Sequence, residues 1–202
     1  MKFISFYNMI EKKIVILSGA GISQESGIST FRDANGLWEN NNIMEVASIQ
    51  GWIKNRELVL DFYNKRRRQL AEVVPNEAHT IIAELQSQYS VCVITQNVDD
   101  LHERAGSKNV IHLHGELYKA CSSRDKKINL TWKNDIVIGD KATDGSQLRP
   151  FIVWFGEDVP MMAQATEIVQ TADILIVIGT SLQVYPAAGL IHDAYQATDK
   201  YI

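Results

Sequence analysis

Four short apolar runs constrain what this chain can fold into more than any other feature. They are 13–17 (KIVIL), 90–95 (SVCVIT), 109–113 (NVIHL) and 173–178 (DILIVI), and stretches of helical periodicity separate them. Near-continuous apolar strands of this length are buried on both faces, and their alternation with helices predicts a parallel sheet covered on both sides. The fold class is therefore α/β, Rossmann-like, with 173–178 as a central strand. Helices are expected over 57–71, from Pro75-Asn76 to about residue 86, over 99–104, 161–171 and 186–197, with one more strand over 151–155. Ser23 is placed to cap a short helix after the first strand. The asparagine-rich 29–50 reads as a long loop, a length usually given over to function. Residues 116–150 lack strong periodicity and read as a small inserted module, so the main domain is 1–115 plus 151–202, with helices near 29–75 contributing to the small lobe.

Composition narrows the function classes. A net charge of −4 gives no basic field for nucleic acid or an anionic surface. No apolar run approaches the roughly 18 residues of a membrane span, and 3–7 (FISFY) makes no convincing signal peptide. Two cysteines, Cys92 and Cys121, suggest no disulfide framework. The expectation is a soluble cytoplasmic protein, monomeric by default for want of a heptad or an exposed apolar stripe.

Ligands of such sheets bind beyond the carboxyl ends of the strands. There stand Gly19-Ala20-Gly21 with Ser23, Gln96-Asn97 with Asp99, His112 to Gly115, and Gly179-Thr180-Ser181. Glycines at a strand end let backbone approach a phosphate, although a plain tight turn explains them equally well. The next glycine is Gly27, so the dehydrogenase spacing G-x-G-x-x-G is absent and hydride transfer is disfavoured. Asn97 and Asp99 suit hydrogen bonds to ribose or a carboxamide, or turn formation and helix capping. Alternation puts His112 and His114 on one face, and spacing does not separate them as a base.

Six segments, in this order, resemble the signatures of the sirtuin family: Gly19 to Ser23, Gly27 to Arg32, Thr95 to Asp99, His112 to Gly115, Phe155 to Glu157, and Gly179 to Ser181. The resemblance implies an NAD-dependent protein-lysine deacylase that releases nicotinamide, O-acyl-ADP-ribose and free lysine. It implies His114 as the base, and Gln96 and Asn97 holding the nicotinamide ribose. Ala20, Ile28, Phe31, Asn97 and Asp99 would shape the nicotinamide pocket, with Arg32 on the phosphate side. Ser29 stands where the family has proline, which removes a fixed φ but no reacting group. Phe151 to Glu157 and Gln183 to Tyr185, including Val153, Phe155, Gly156 and Val184, would offer strand edges to an acyl-lysine peptide; a plain core role is the alternative.

The helix over 57–71 adds a separate signal. With Leu58 set at zero and ~100° per residue, Phe62 falls at about 40°, Arg66 at about 80°, Val59 at about 100° and Tyr63 at about 140°. Arg66 thus lies within the apolar arc, while Lys65, Arg67 and Arg68 lie at its margin or outside. An inward guanidinium is costly unless an anion meets it, whether a structural carboxylate or a ligand, or unless its stem snorkels to the surface. Tyr63-Asn64-Lys65-Arg66 resembles the Tyr-x-x-Arg pair of sirtuins that take succinyl- or malonyl-lysine, which implies that Tyr63 and Arg66 bind a terminal carboxylate.

The chain departs from the family in two places. Only Cys121 occurs in the module, so a four-cysteine zinc site is impossible and no metal is expected. Leu117, Tyr118, Ile128, Leu130, Trp132, Ile136, Val137 and Ile138 are expected to hold the module instead. The sequence also stops at Lys200-Tyr201-Ile202, where the family's adenosine-binding strand would begin, so part of that site is expected to be missing or to lie in a longer chain. Protein ADP-ribosyl transfer, or nucleotide binding without catalysis, are the competing functions.

Overall fold

The computed structural model describes residues 12–29, 37–38 and 41–202, with the side chains of 37–38 excluded. The strands are β1 (Lys13–Ser18), β2 (Leu37–Trp38), β3 (Asn41–Asn42), β4 (Ser90–Thr95), β5 (Val110–His112), β6 (Gly115–Ser122), β7 (Asn129–Thr131), β8 (Leu148–Ile152), β9 (Ile174–Ile178) and β10 (Asp199–Tyr201). The α-helices are α1 (Ile43–Val46), α2 (Ile49–Lys54), α3 (Arg56–Glu72), α4 (Glu77–Glu84), α5 (Leu101–Arg104), α6 (Met162–Gln170) and α7 (Leu190–Asp193). A 3-10 helix spans Ala20–Ser26.

The main sheet has the order β10-β9-β1-β4-β5, and all its pairings are parallel. This is the expected α/β arrangement: β9 is interior, paired on both sides, and β1 lies at the middle of the sheet. Alternation along β1 builds both faces. Val15 and Leu17 pack with α6 and with Leu190 on one side; Ile14 and Ile16 pack with Ile22 and Ile82 on the other. Each fully buried aliphatic contributes about 1.5–3 kcal/mol, enough to fix the register, since a one-residue slip would turn every side chain over.

A third core joins α1, α2 and α3 to the second sheet, whose order is β7-β6-β8 and whose pairings are antiparallel. Here the sequence reading needs correcting. Part of 29–50 is helical (α1 and the start of α2), because Asn42 and Ser48 accept Met44 N–H and Gly51 N–H and so start two short helices. Over 115–152, beyond the expected bounds of 116–150, lie an eight-residue strand and its two partners; β6 escapes a period-2 reading because five of its eight residues are buried. The strand expected over 151–155 ends at Ile152, and the helix expected over 186–197 is a 3-10 turn plus the four residues of α7.

Helix α3 clasps the module. The Asn64 carboxamide donates to the Ile136 carbonyl and accepts the Ile136 N–H, both at 2.9 Å. Arg67, expected at the margin, is buried; it donates Nε to Leu117 O at 3.0 Å and Nη1 to Asn64 Oδ1 at 2.7 Å, and burial pushes its pKa down to about 10. Lys65 and Arg68 are exposed and paired with Asp61 and Asp135. Leu117 and Ile136 are buried in the module as expected, and Tyr118, Ile128 and Trp132 partly so, but Leu130, Val137 and Ile138 are exposed. Polar contacts hold the loops instead: the Ser122 hydroxyl contacts Asp144 Oδ2 at 2.6 Å and Ser146 Oγ at 2.7 Å.

Candidate functional site

A cavity of about 620 Å³ lies at the carboxyl ends of β1, β4 and β9, where sheet and small lobe meet. Gly19, Ala20, Gly21, Ser23, Ile28, Gln96, Asn97, Asp99, His114, Gly179, Thr180 and Ser181 line it, together with Tyr63, Val153, Phe155, Gly156 and Val184. Arg66 is not among the lining residues. Phe31 and Arg32 lie outside the described residues.

The glycine ends pack on each other. Gly21 N–H donates to the Gly179 carbonyl at 2.8 Å, and Gly19 N–H donates to Ile178 O at 3.1 Å. Gly179 has φ +66, and a Cβ there would stand 2.2 Å from the Ile22 nitrogen. So the turn reading of these glycines holds, and the same tight packing leaves a side-chain-free floor at the sheet's end. Beside it, the Gln96 carboxamide donates to Thr180 Oγ1 at 3.0 Å. Ser23 caps no helix terminus, since the 3-10 helix starts at Ala20 after Gly19. Its buried hydroxyl instead donates to Asp99 Oδ2 at 3.0 Å and accepts from Asn97 Nδ2 at 3.1 Å. Asp99 Oδ1 accepts Leu101 N–H at 3.2 Å, an Asx-type turn leading into α5, whose N-cap position is Asp100, so the turn reading of Asp99 holds and the capping reading does not. Burial raises the Asp99 pKa against these hydrogen bonds.

The two histidines, inseparable by spacing, differ in the fold. His112 contacts the Asn97 carbonyl at 2.9 Å and Glu103 Oε1 at 2.7 Å, so both ring nitrogens are engaged. Burial disfavours its imidazolium, but Glu103 and the carbonyl outweigh burial and its pKa is raised. His114 lines the cavity, and among the described residues its ring contacts the Gln96 carbonyl alone, through Nδ1 at 3.0 Å. Burial lowers its pKa, with that carbonyl pulling the other way. A neutral ring donating from Nδ1 keeps its lone pair on Nε2, the tautomer a general base needs. Gly115 then turns the chain at φ +88, where a Cβ would meet the Phe151 carbonyl oxygen at 2.0 Å. The His114 carbonyl is held by Val153 N–H at 2.9 Å.

On the small-lobe side Tyr63 is fully buried at the cavity wall, and its oxygen accepts from Trp154 Nε1 at 3.1 Å. Burial raises its pKa, so it stays a neutral phenol. Arg66 is buried too; Nη1 donates to the Phe62 carbonyl at 2.9 Å and the guanidinium lies over the Phe62 ring. Outside β8 the expected peptide edges are irregular, apart from a single parallel bridge from Phe155 to Ser48. Val153 and Phe155 flank the cavity, but their N–H groups are used within the chain, by His114 O and Ala47 O, both at 2.9 Å. Sequence reasoning missed Trp154, which is buried and lines the same cavity as its neighbours Val153 and Phe155.

Cys121 is buried, and among the described residues no group of three or more His, Cys, Asp or Glu is placed to hold a metal. No described helix is long and apolar enough to cross a membrane.

The family model described as "Sir2 family" matches residues 19–186. A Helicobacter pylori protein named NAD-dependent protein deacylase is 62% identical over 185 residues, covering 92% of this chain and 81% of that protein. An ADP-ribose complex of a Sir2 homologue variant aligns with a TM-score of 0.87 at 41% identity, covering 96% of this chain and 80% of the other. An NAD complex of a Sir2 homologue aligns with a TM-score of 0.84 at 40% identity, covering 95% and 78%.

Proposed function

Since the chain belongs to the Sir2 family, an NAD-dependent protein deacylase by its relatives, we propose that His114 is the base of its reaction and that Tyr63 and Arg66 select dicarboxylic acyl chains. One observation carries the reading: a single cavity joins the glycine floor, the His114 imidazole and the Tyr63 phenol. NAD supplies an activated ribose carbon and a good leaving group, nicotinamide. The glycine floor of Gly19, Gly21 and Gly179 suits its phosphates, and Gln96 and Asn97 suit the nicotinamide ribose. Ala20, Ile28 and Asp99 enclose the carboxamide end. His114 Nε2 takes the proton of a ribose hydroxyl as that oxygen is acylated, and its depressed pKa keeps it deprotonated at neutral pH. Val153, Phe155, Gly156 and Val184 flank the acyl-lysine of a protein substrate.

Tyr63 reaches the far wall of the same cavity as a neutral donor, and Arg66, buried one helical turn on, supplies the positive charge for a terminal carboxylate. Succinyl- and malonyl-lysine fit this pairing better than acetyl-lysine. We assign the domains as 1–115 with 151–202 and 116–150, and propose a cytoplasmic monomer without zinc. Incubation with NAD and succinyl- or acetyl-lysine peptides, with products weighed, tests the activity. Free lysine peptide with acyl-ADP-ribose is expected; ADP-ribosylated protein, or binding without turnover, would replace the reading. Tyr63→Phe and Arg66→Met should each depress desuccinylation far more than deacetylation, and equal losses would remove their selective role.

A further inference from the structure

The Tyr63 oxygen is not left to orient itself. It accepts the indole N–H of Trp154 at 3.1 Å, and Trp154 is 2% exposed. The tryptophan is fixed on several sides. Its backbone N–H donates to Glu157 Oε2 at 2.8 Å, and the Arg149 guanidinium lies 3.8 Å from the centre of its ring. The Trp52 ring packs against it at 5.7 Å. Arg149 and Glu157 are themselves paired, with Nη2 at 2.8 and 3.1 Å from the two carboxylate oxygens, and both side chains are largely buried. Lys126 also bonds Glu157, so that carboxylate ties three groups together.

A phenol has one hydrogen and accepts on its oxygen. Filling an acceptor position with the indole N–H turns the phenol's own hydrogen away from Trp154. A buried donor of fixed direction binds a carboxylate better than a rotating one, because less freedom is lost on binding. We propose that Trp154, locked by the Arg149–Glu157 pair, is a positioning residue that aims the Tyr63 hydroxyl at the distal carboxylate of the acyl chain and so sets acyl selectivity. This rests on the reading that Tyr63 and Arg66 bind that carboxylate.

Trp154→Phe deletes the N–H and keeps an aromatic ring beneath Arg149. It is compared with Tyr63→Phe and the double variant, using succinyl- and acetyl-lysine peptides at saturating NAD. Tyr63→Phe should lower the succinyl-to-acetyl ratio of kcat/KM at least about tenfold, as expected for a lost hydrogen bond to a charged group. Trp154→Phe should lower it roughly three- to tenfold, through a raised KM for the succinyl peptide, and add nothing in the Tyr63→Phe background. If Tyr63→Phe shifts the ratio and Trp154→Phe does not, the positioning role is wrong while the carboxylate site stands. If Trp154→Phe lowers both activities equally, its role is structural and the proposal falls. If Tyr63→Phe leaves the ratio unchanged, the carboxylate site itself is wrong, and this proposal with it. Should Trp154→Phe fail to fold, benzothienylalanine at position 154 replaces N–H by sulfur in a ring of the same shape, and the same outcomes apply.

Discussion

Replacing Gly179 by alanine tests whether the glycine floor is built as described. Two effects add. A non-glycine residue held at φ +66 is disfavoured by about 1–2 kcal/mol. The new Cβ would stand 2.2 Å from the Ile22 nitrogen, 2.9 Å from the Gly21 carbonyl carbon and 3.0 Å from the Gly19 oxygen. All three are backbone atoms, so no side chain can rotate aside and the 19–22 turn must retreat by about an ångström. That movement breaks the 2.8 Å bond from Gly21 N–H to Gly179 O, about 1 kcal/mol. The total is a loss of about 2–3 kcal/mol in stability, with NAD affinity falling further because the displaced backbone is the floor itself. Gly145→Ala is the control: its φ is +78 with nothing within 4 Å of the added carbon, so only the conformational cost applies. Urea unfolding of both variants, with calorimetric titration of NAD, measures the difference. An unfolding midpoint for Gly179→Ala equal to that of Gly145→Ala, with NAD affinity unchanged, would refute the contact between the two turns.

The remaining predictions concern the histidines and the module. His114→Ala should lower kcat by about 10²–10⁴ with little change in urea midpoint. The acid limb of the wild-type pH profile should lie below the ordinary histidine value of about 6.5, because burial depresses His114; a midpoint above it would exclude His114 as the base. His79 and His102 are buried in edge-to-face contact with centroids 4.9 Å apart, and burial pushes each down to about 4. Unfolded histidines protonate near pH 6.5, so between there and pH 4 the unfolded chain binds more protons. Their contribution is therefore full above about pH 6.5 and lost as pH falls to about 4. His102→Gln should flatten that decline in urea midpoint, and an equally steep decline would contradict the assignment. Asn64→Ala removes three hydrogen bonds, two to Ile136 and one to Arg67, and should cost about 3–5 kcal/mol. Early proteolysis of 129–147 should accompany it, and unchanged resistance would show that other contacts hold the module.

Much of this architecture was legible because its signals are local. The four buried runs and their helices predict a parallel sheet, and its strand ends locate the 19–21, Gln96-Asn97, His114 and 179–181 parts of the cavity wall, while Tyr63 comes from α3. Periodicity failed where burial is two-sided or elements are very short, as in β6, α1 and α7. Arg67 was misplaced because its partners, Leu117 O and Asn64 Oδ1, stand beyond the apolar arc, so a buried guanidinium can be satisfied where the hydrophobic pattern predicts solvent. Alternation puts His112 and His114 on one strand face, but β5 ends at His112 and His114 lies in the turn that follows, so only the 103 and 96 contacts tell the two apart. Trp154 carries no chemistry that a sequence reading would single out, and its role follows from a partner 91 positions away.

The turn at Gln96-Asn97 holds both imidazoles by its main-chain oxygens, while its side chains reach Thr180 and Ser23. Under the proposed roles, grip on the dinucleotide and aim of the proton acceptor are properties of one dipeptide. Natural variation or engineering that loosens the first will misalign the second, so tuning affinity independently of turnover has to be done elsewhere, along the acyl wall.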